Sequence, residues 1–203
     1  MSSSNWIRWG ALGALLAGTA WLASGIFSLV IGQGAAELHS DNAPYAELGT
    51  FSYYLHYLLE ILFSLALAGM LAGLVGFHAR QAPNYGRLGT VGFFAAFVGV
   101  FFLLASTVAT ILAGREVLDW LFILGFVGTL VGFVLLGAGT LRAGVLPRWF
   151  GVLLIVSALG IPVYFALGNY GGAILNSLVW LALGYGLWSE RGASVEQYTP
   201  HVM

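Results

Sequence analysis

One apolar stretch of the sequence carries ionisable side chains that could do chemistry. Positions 53–80 read YYLHYLLEILFSLALAGMLAGLVGFHAR, which is long enough to cross a bilayer as a helix. Glu60 interrupts this apolar run, with His56 one turn before it and Ser64 one turn after it. Because a helix turns about 100° per residue, these three side chains share one face with Tyr57. A carboxylate at this depth costs on the order of a few kcal/mol, so we expect Glu60 to face protein or a water-filled cavity.

The same face could supply metal ligands. His56 and Glu60 are four residues apart, which is the spacing of two ligands on one helix face. A third ligand would come from the preceding polar segment, where His39 and Asp41 are the candidates, although such a segment is commonly just solvated. Haem held between two histidines is ruled out, since His56 and His78 lie ~33 Å apart along one helix. A single axial histidine is left open.

The residue types that are missing exclude several cofactors. The chain has no cysteine, so iron–sulfur clusters and thiolate metal sites are excluded. All seven cationic residues are arginine, so no lysine can form a Schiff base with retinal or pyridoxal phosphate. GxSxG, HExxH and phosphate-loop motifs are absent. We therefore predict no cofactor and assign no catalytic residue; the sequence favours a protein that is not an enzyme, with activity left open.

Composition places these side chains in a membrane protein. The chain has 203 residues, of which 60% are hydrophobic and 7% charged, against about 25% charged in soluble domains. A net charge of −1 gives no reason to expect nucleic acid as a partner. We predict one all-α membrane domain whose partner is the lipid bilayer. Its six transmembrane helices are expected at about 8–31, 54–78, 88–112, 118–141, 150–168 and 172–189, with an outer polar loop over 33–52.

Arginine placement predicts the orientation of the bundle. Six arginines fall on one side of the predicted helices, and only Arg115 falls on the other; the six are Arg8, Arg80, Arg87, Arg142, Arg148 and Arg191. By the positive-inside rule, both termini are then cytoplasmic. The three outward-running helices each begin with an arginine and a glycine one turn later, which suggests three helical hairpins from an old repeat. The alternative is that any inner interface selects arginine.

The predicted depths put most intramembrane polar residues in the outer half of the bundle. We therefore predict an outward-facing polar cavity with Glu60 near its floor. The predicted ligand-binding residues are Glu60, His56, Ser64, Ser106, Thr107, Thr110, Tyr164 and Asn176, and Ser24, Ser28 and Asn169 lie at similar depth. The alternative is that Glu60 is protonated and hydrogen-bonded to a neighbouring helix as a packing contact.

Two segments carry a resemblance to known proteins. The arginine–aromatic–glycine helix start in LPRWFGVLLIVSALG, together with GFHARQAPNYGRLG, resembles a broad group of uncharacterised bacterial multi-pass membrane proteins. The resemblance implies about six helices in a bacterial inner membrane. It implies no chemistry and assigns no functional residue.

Two functions are consistent with these observations. The first is a transporter- or sensor-like protein that binds or moves a small ligand or ion in the cavity around Glu60. The second is a non-catalytic accessory subunit of a larger membrane complex; a homo-oligomer is the alternative assembly. A third function, that of a lipid-modifying or redox enzyme, has no motif to support it. Small loops and 29 glycines, which let helices approach closely, favour the second interpretation.

Overall fold

The structure is a computed structural model that describes residues 3–31, 51–81, 84, 86–113, 118–167 and 172–196. These residues form six helices: α1 (Ser3–Ile31), α2 (Phe51–Gln81), α3 (Gly86–Ala113), α4 (Asp119–Ala143), α5 (Arg148–Leu167) and α6 (Ala173–Glu196). The predicted all-α class and the six helices are confirmed. The helices are somewhat longer than predicted, and α2 begins inside the segment that was predicted to be loop.

Four helices are long and apolar enough to cross a membrane. These candidate spans are Asn5–Val30, Tyr57–Gln81, Gly86–Ala113 and Asp119–Ala143. The remaining two helices contain shorter apolar segments, Arg148–Tyr164 and Ala173–Ser189. In lipid a helix satisfies its own backbone hydrogen bonds, which explains why the apolar segments of the described chain are helical. The composition and the four spans together indicate a membrane protein.

The six helices form a closed, antiparallel ring. Each helix packs against its neighbours in the sequence, and α1 packs against α6 to close the ring. The pairing runs antiparallel: Gly10 at the start of α1 meets Gly76 near the end of α2, and Gly92 of α3 meets Leu136 of α4. At the end of α4, Gly144 adopts φ 65°, a left-handed conformation that glycine tolerates and that stops the helix.

The ring has two chemically distinct ends. One end, the arginine end, carries Arg8, Arg80, Arg87, Arg142 and Arg148, most of them exposed. The opposite end, the Glu60 end, carries Glu60 on α2 and the exposed Asp119 on α4. The predicted segregation of arginines at one end therefore holds for the arginines whose side chains the structure describes. Arg115 and the loop 33–50 lie outside the described residues.

Helix packing divides the ring into two units of three helices. In the first unit, α6–α1–α2, a Cβ at Gly69 would lie 2.7 Å from the Ala17 backbone nitrogen, and one at Gly184 would lie 2.8 Å from the Leu15 nitrogen. In the second unit, α3–α4–α5, a Cβ at Gly137 would lie 2.6 Å from the Gly151 carbonyl oxygen. Backbones within a unit thus touch at glycine, as expected for small-residue packing in membranes.

Side chains join the two units. Trp180 of α6 packs edge-on against Phe133 of α4 at 5.8 Å between ring centroids, and Phe77 of α2 packs against Phe150 of α5 at 5.7 Å. All four rings are buried, and they fill the centre of the ring of helices. In the third predicted hairpin, α5 and α6 pack against each other, but α5 packs more extensively on α4 and α6 more extensively on α1.

Candidate functional site

A cluster of polar and aromatic side chains surrounds Glu60. Glu60 is half-buried on α2, and its carboxyl group lies near the Tyr164 hydroxyl of α5. Tyr164 stacks on Phe63 of α2 at 5.8 Å and meets Trp21 of α1 edge-on at 5.1 Å. The Ser24 hydroxyl of α1 lies beside the Tyr164 hydroxyl, although Ser24 Oγ has no partner of standard hydrogen-bond geometry among the described residues. We call Trp21, Ser24, Glu60, Phe63 and Tyr164 the Glu60 cluster.

The helices place this cluster for a simple reason. Trp21 and Ser24 lie on the face of α1 that is buried against the other helices, and Glu60 and Phe63 are one turn apart on α2. Tyr164 is near the end of α5 and reaches across to both helices. The cluster thus joins the first unit to the second at the Glu60 end.

Asn176 is a buried amide next to this cluster. Its side chain is 0% exposed and occupies the space where a Cβ at Gly160 of α5 would lie. Gly160 and Tyr164 are one turn apart on the same face of α5, so the amide lies about one helical turn from the tyrosine. Neither its nitrogen nor its oxygen has a hydrogen-bond partner within the described part of the chain.

Two further hydroxyls share this property. Ser177 follows Asn176 in α6, and Ser64 follows Glu60 by one turn in α2. Each hydroxyl oxygen is buried, and the described residues provide no hydrogen-bond partner for either. Leaving a buried polar group unsatisfied costs about 1–3 kcal/mol, so each of these groups calls for an explanation.

Other predicted site residues belong to a second polar group, between α2, α3 and α4. The Tyr57 hydroxyl donates to the Ile111 carbonyl at 3.4 Å, and the Ser106 hydroxyl donates to the Leu118 carbonyl at 3.2 Å. Thr107 donates to the Leu103 carbonyl of its own helix at 2.9 Å, and Thr110 is half-buried one turn beyond Ser106. These hydrogen bonds hold the end of α3 against α2 and the start of α4.

The structure therefore divides the predicted site. Glu60 and Tyr164 come together, and Asn176 lies beside them. Ser64 lies one turn after Glu60 on α2. Ser106, Thr107 and Thr110 form a separate group. The Glu60 cluster contains Ser24, which was expected at this depth; Ser28 instead donates to the Ser24 carbonyl at 2.9 Å.

The metal prediction falls largely outside the described residues. His39 and Asp41 are not described, and of His56 the structure describes only the helical backbone. Asn169, which was expected at the depth of the cavity, also lies outside the described residues. Among the described residues, no group of three histidine, aspartate or glutamate side chains could hold a metal ion. The predicted third ligand for His56 and Glu60 is therefore a prediction still.

Sequence reasoning missed Trp21, Gly160 and Ser177. Trp21 lies in the middle of an apolar segment, far from either end, whereas tryptophans of membrane helices concentrate at interfaces; this unusual position was the available signal.

Pro162 leaves the Ala158 carbonyl of α5 without its helical donor. Ala158 and Gly160 are about 200° apart around the helix, so this carbonyl does not join the Asn176 contact.

Chemically, the region offers one carboxyl group, a phenol, hydroxyls and an amide, surrounded by aromatic rings. Such a set can bind a small polar molecule or an ion through hydrogen bonds and charge, and it contains no described nucleophile–base pair of the kind used in acyl transfer. In comparisons with known proteins, no protein-family model, curated protein or solved structure matches this chain.

Proposed function

We propose that the protein spans the membrane with all six helices and binds a small polar ligand or ion at the Glu60 cluster, as a transporter or sensor would. The observation that carries the proposal is the Asn176 amide. It is 0% exposed, it has no hydrogen-bond partner within the described chain, and it adjoins the cluster that contains Glu60 and Tyr164. An amide that served only to join helices would be expected to form hydrogen bonds with a neighbouring side chain or a backbone group.

A bound ligand accounts for these groups economically. The amide can donate and accept, the two serine hydroxyls can do both, and the carboxyl group adds charge or a proton. Ionisable residues inside membrane bundles commonly mark ion or substrate pathways. The aromatic rings exclude lipid and water, which strengthens each polar contact that a ligand makes.

The proposed topology rests on helix packing and charge. The helices α5 and α6 lie antiparallel beside α4 and α1, which are long enough to span, and the described arginines lie at one end. The positive-inside rule then puts the arginine end and both termini in the cytoplasm. Because the chain has no cysteine, single cysteines report the topology directly. In intact cells, a membrane-impermeant thiol reagent should label Asp119→Cys and not Asn84→Cys, and the reverse pattern would invert the topology.

The ligand site is tested by native mass spectrometry after mild extraction from the cell's own membrane. We expect the wild-type chain to carry a small adduct that Glu60→Gln loses, with the same thermal unfolding for the two proteins once both are stripped of small adducts. Asp119→Asn is the matched control, because it removes an exposed acid at the same end of the bundle and should keep the adduct.

Two results would contradict the proposal: a wild-type chain without adduct, or an adduct that Glu60→Gln retains. Co-purifying protein chains would support the alternative function, that of an accessory subunit in a larger membrane complex.

A further inference from the structure

The contacts between the two three-helix units differ in kind from the contacts inside them. Inside each unit, backbones meet at glycine: Gly18 of α1 meets the Leu181 nitrogen, and Gly99 of α3 meets Thr129. Close backbone contact leaves helices little freedom to shift, because no side chain can change rotamer to absorb the movement.

Side chains dominate the two seams between the units. At the α2/α3 seam, His78 stacks on Phe93 at 4.1 Å, and Tyr57 donates to the Ile111 carbonyl. At the α5/α6 seam, the Trp180 indole donates to the Ser157 hydroxyl at 3.0 Å. Gly186 of α6 meets the rings of Trp149 and Phe150, and Gly160 of α5 meets the Asn176 side chain. These seams are also less extensive than the contacts within each unit.

The boundary between the two units passes through the candidate site, and the α5/α6 seam lies beside it at Gly160 and Asn176. Tyr164 belongs to the second unit, whereas Trp21, Ser24, Glu60 and Phe63 belong to the first. Asn176 closes the seam by filling the space beside Gly160. The two sides of the site are therefore carried by different units, and any movement of one unit against the other changes the site.

We infer that the bundle moves as two rigid three-helix units, α6–α1–α2 and α3–α4–α5, and that opening of the α5/α6 seam admits ligand to the Glu60 cluster. The movement itself stands on the packing alone; its role in admitting ligand rests on the proposed function. Packed interfaces tend to have discrete arrangements, and movement of one helix bundle against another around a fixed site is a general way to alternate access.

Distances between spin labels test the movement in the full-length protein. The chain has no cysteine, so label pairs can be introduced at exposed positions without first removing native cysteines. Ile26→Cys with Leu112→Cys reports across the units, and Leu112→Cys with Leu159→Cys reports within the second unit; all three residues are exposed. Pulsed electron paramagnetic resonance in lipid nanodiscs should give two components for the first pair and one narrow component for the second.

Gly160→Ala should shift this equilibrium. Its Cβ would overlap the Asn176 side chain, so we expect the longer component of the cross-unit pair to grow while the within-unit pair stays unchanged. Gly128→Ala is the matched control: its Cβ would lie 3.2 Å from the Gly99 Cα, inside the second unit, and should change neither pair.

A cross-unit pair as narrow as the within-unit pair would overturn the inference, and this comparison needs only the wild-type fold. Equal shifts of both pairs in Gly160→Ala would also overturn it. Failure of this inference is distinguishable from failure of the proposed function. An adduct that depends on Glu60, found without any cross-unit movement, would support the binding site and overturn the inferred movement. Cross-unit movement without such an adduct would support the movement and contradict the binding site.

Discussion

In the second unit, the buried hydroxyls of Thr107, Thr129 and Thr140 each donate to the carbonyl one turn earlier in their own helix. In the first unit, the buried side chains of Ser64, Asn176 and Ser177 have no partner among the described residues. The buried amide of Gln81, at the arginine end of α2, and the indole nitrogen of Trp21 also belong to the first unit and also have no partner among the described residues. The buried threonines of the second unit therefore satisfy their hydroxyls within their own helices, as Ser28 of α1 also does, whereas the polar atoms of Ser64, Asn176 and Ser177 in the first unit are available to another group.

The contrast also explains why two kinds of polar residue look alike in the sequence. A threonine in a membrane helix can always reach its own backbone, so its burial costs little and says little about function. An asparagine amide has two donors and an acceptor and is harder to satisfy within its own helix. A buried asparagine is thus a better pointer to a site than a buried threonine is.

The largest expected effect on the free energy of unfolding comes from disrupting the α3/α4 contact in the second unit. Gly132 of α4 packs against the Ala96 backbone of α3, so Gly132→Leu should lower the free energy of unfolding by about 3 kcal/mol. Reversible unfolding by a denaturing detergent, titrated from mild detergent, measures the change. Gly128→Ala at the same interface should cost less than about 1 kcal/mol, because more room surrounds it. Equal costs for the two variants would show that the α3/α4 contact does not depend on close approach.

A smaller effect, of opposite sign, is expected in the first unit. Asn176→Leu removes a buried amide that has no partner in the described chain, so the free energy of unfolding should rise by about 1 kcal/mol. The same detergent titration measures it, on protein stripped of small adducts. The variant should also lose the adduct, which would give a more stable protein with less function, the signature of a binding site.

Thr129→Val is the matched control for that change. Its hydroxyl donates to the Gly125 carbonyl at 2.7 Å, so its loss should lower the free energy of unfolding by about 0.5 kcal/mol and leave the adduct in place. A stabilising Thr129→Val, or a destabilising Asn176→Leu, would remove the distinction between the two units.

Much of the fold follows from the sequence because the bilayer restricts it. Six apolar segments with few charges have to be helices, since lipid offers no partner to a backbone left unpaired. Short connections make successive helices antiparallel, and arginine placement distinguishes the two ends. Glu60 stood out for the same reason, because an acid in such a segment is costly wherever it points.

The tertiary structure decided which polar residues share a site. Tyr164 of the second unit meets Trp21 and Phe63 of the first unit, and Asn176 of the first unit meets Gly160 of the second. By contrast, Ser106 and Thr107 form hydrogen bonds at the end of α3, to Leu118 and Leu103. Helical periodicity gives the face that a residue occupies, but it does not give the helix that covers that face. The sequence by itself therefore determined the helices, their directions and the presence of an acid among them. The pairing of α6 with α1 and of α5 with α4 depends on where glycines allow backbones to touch, and only the folded ring shows it.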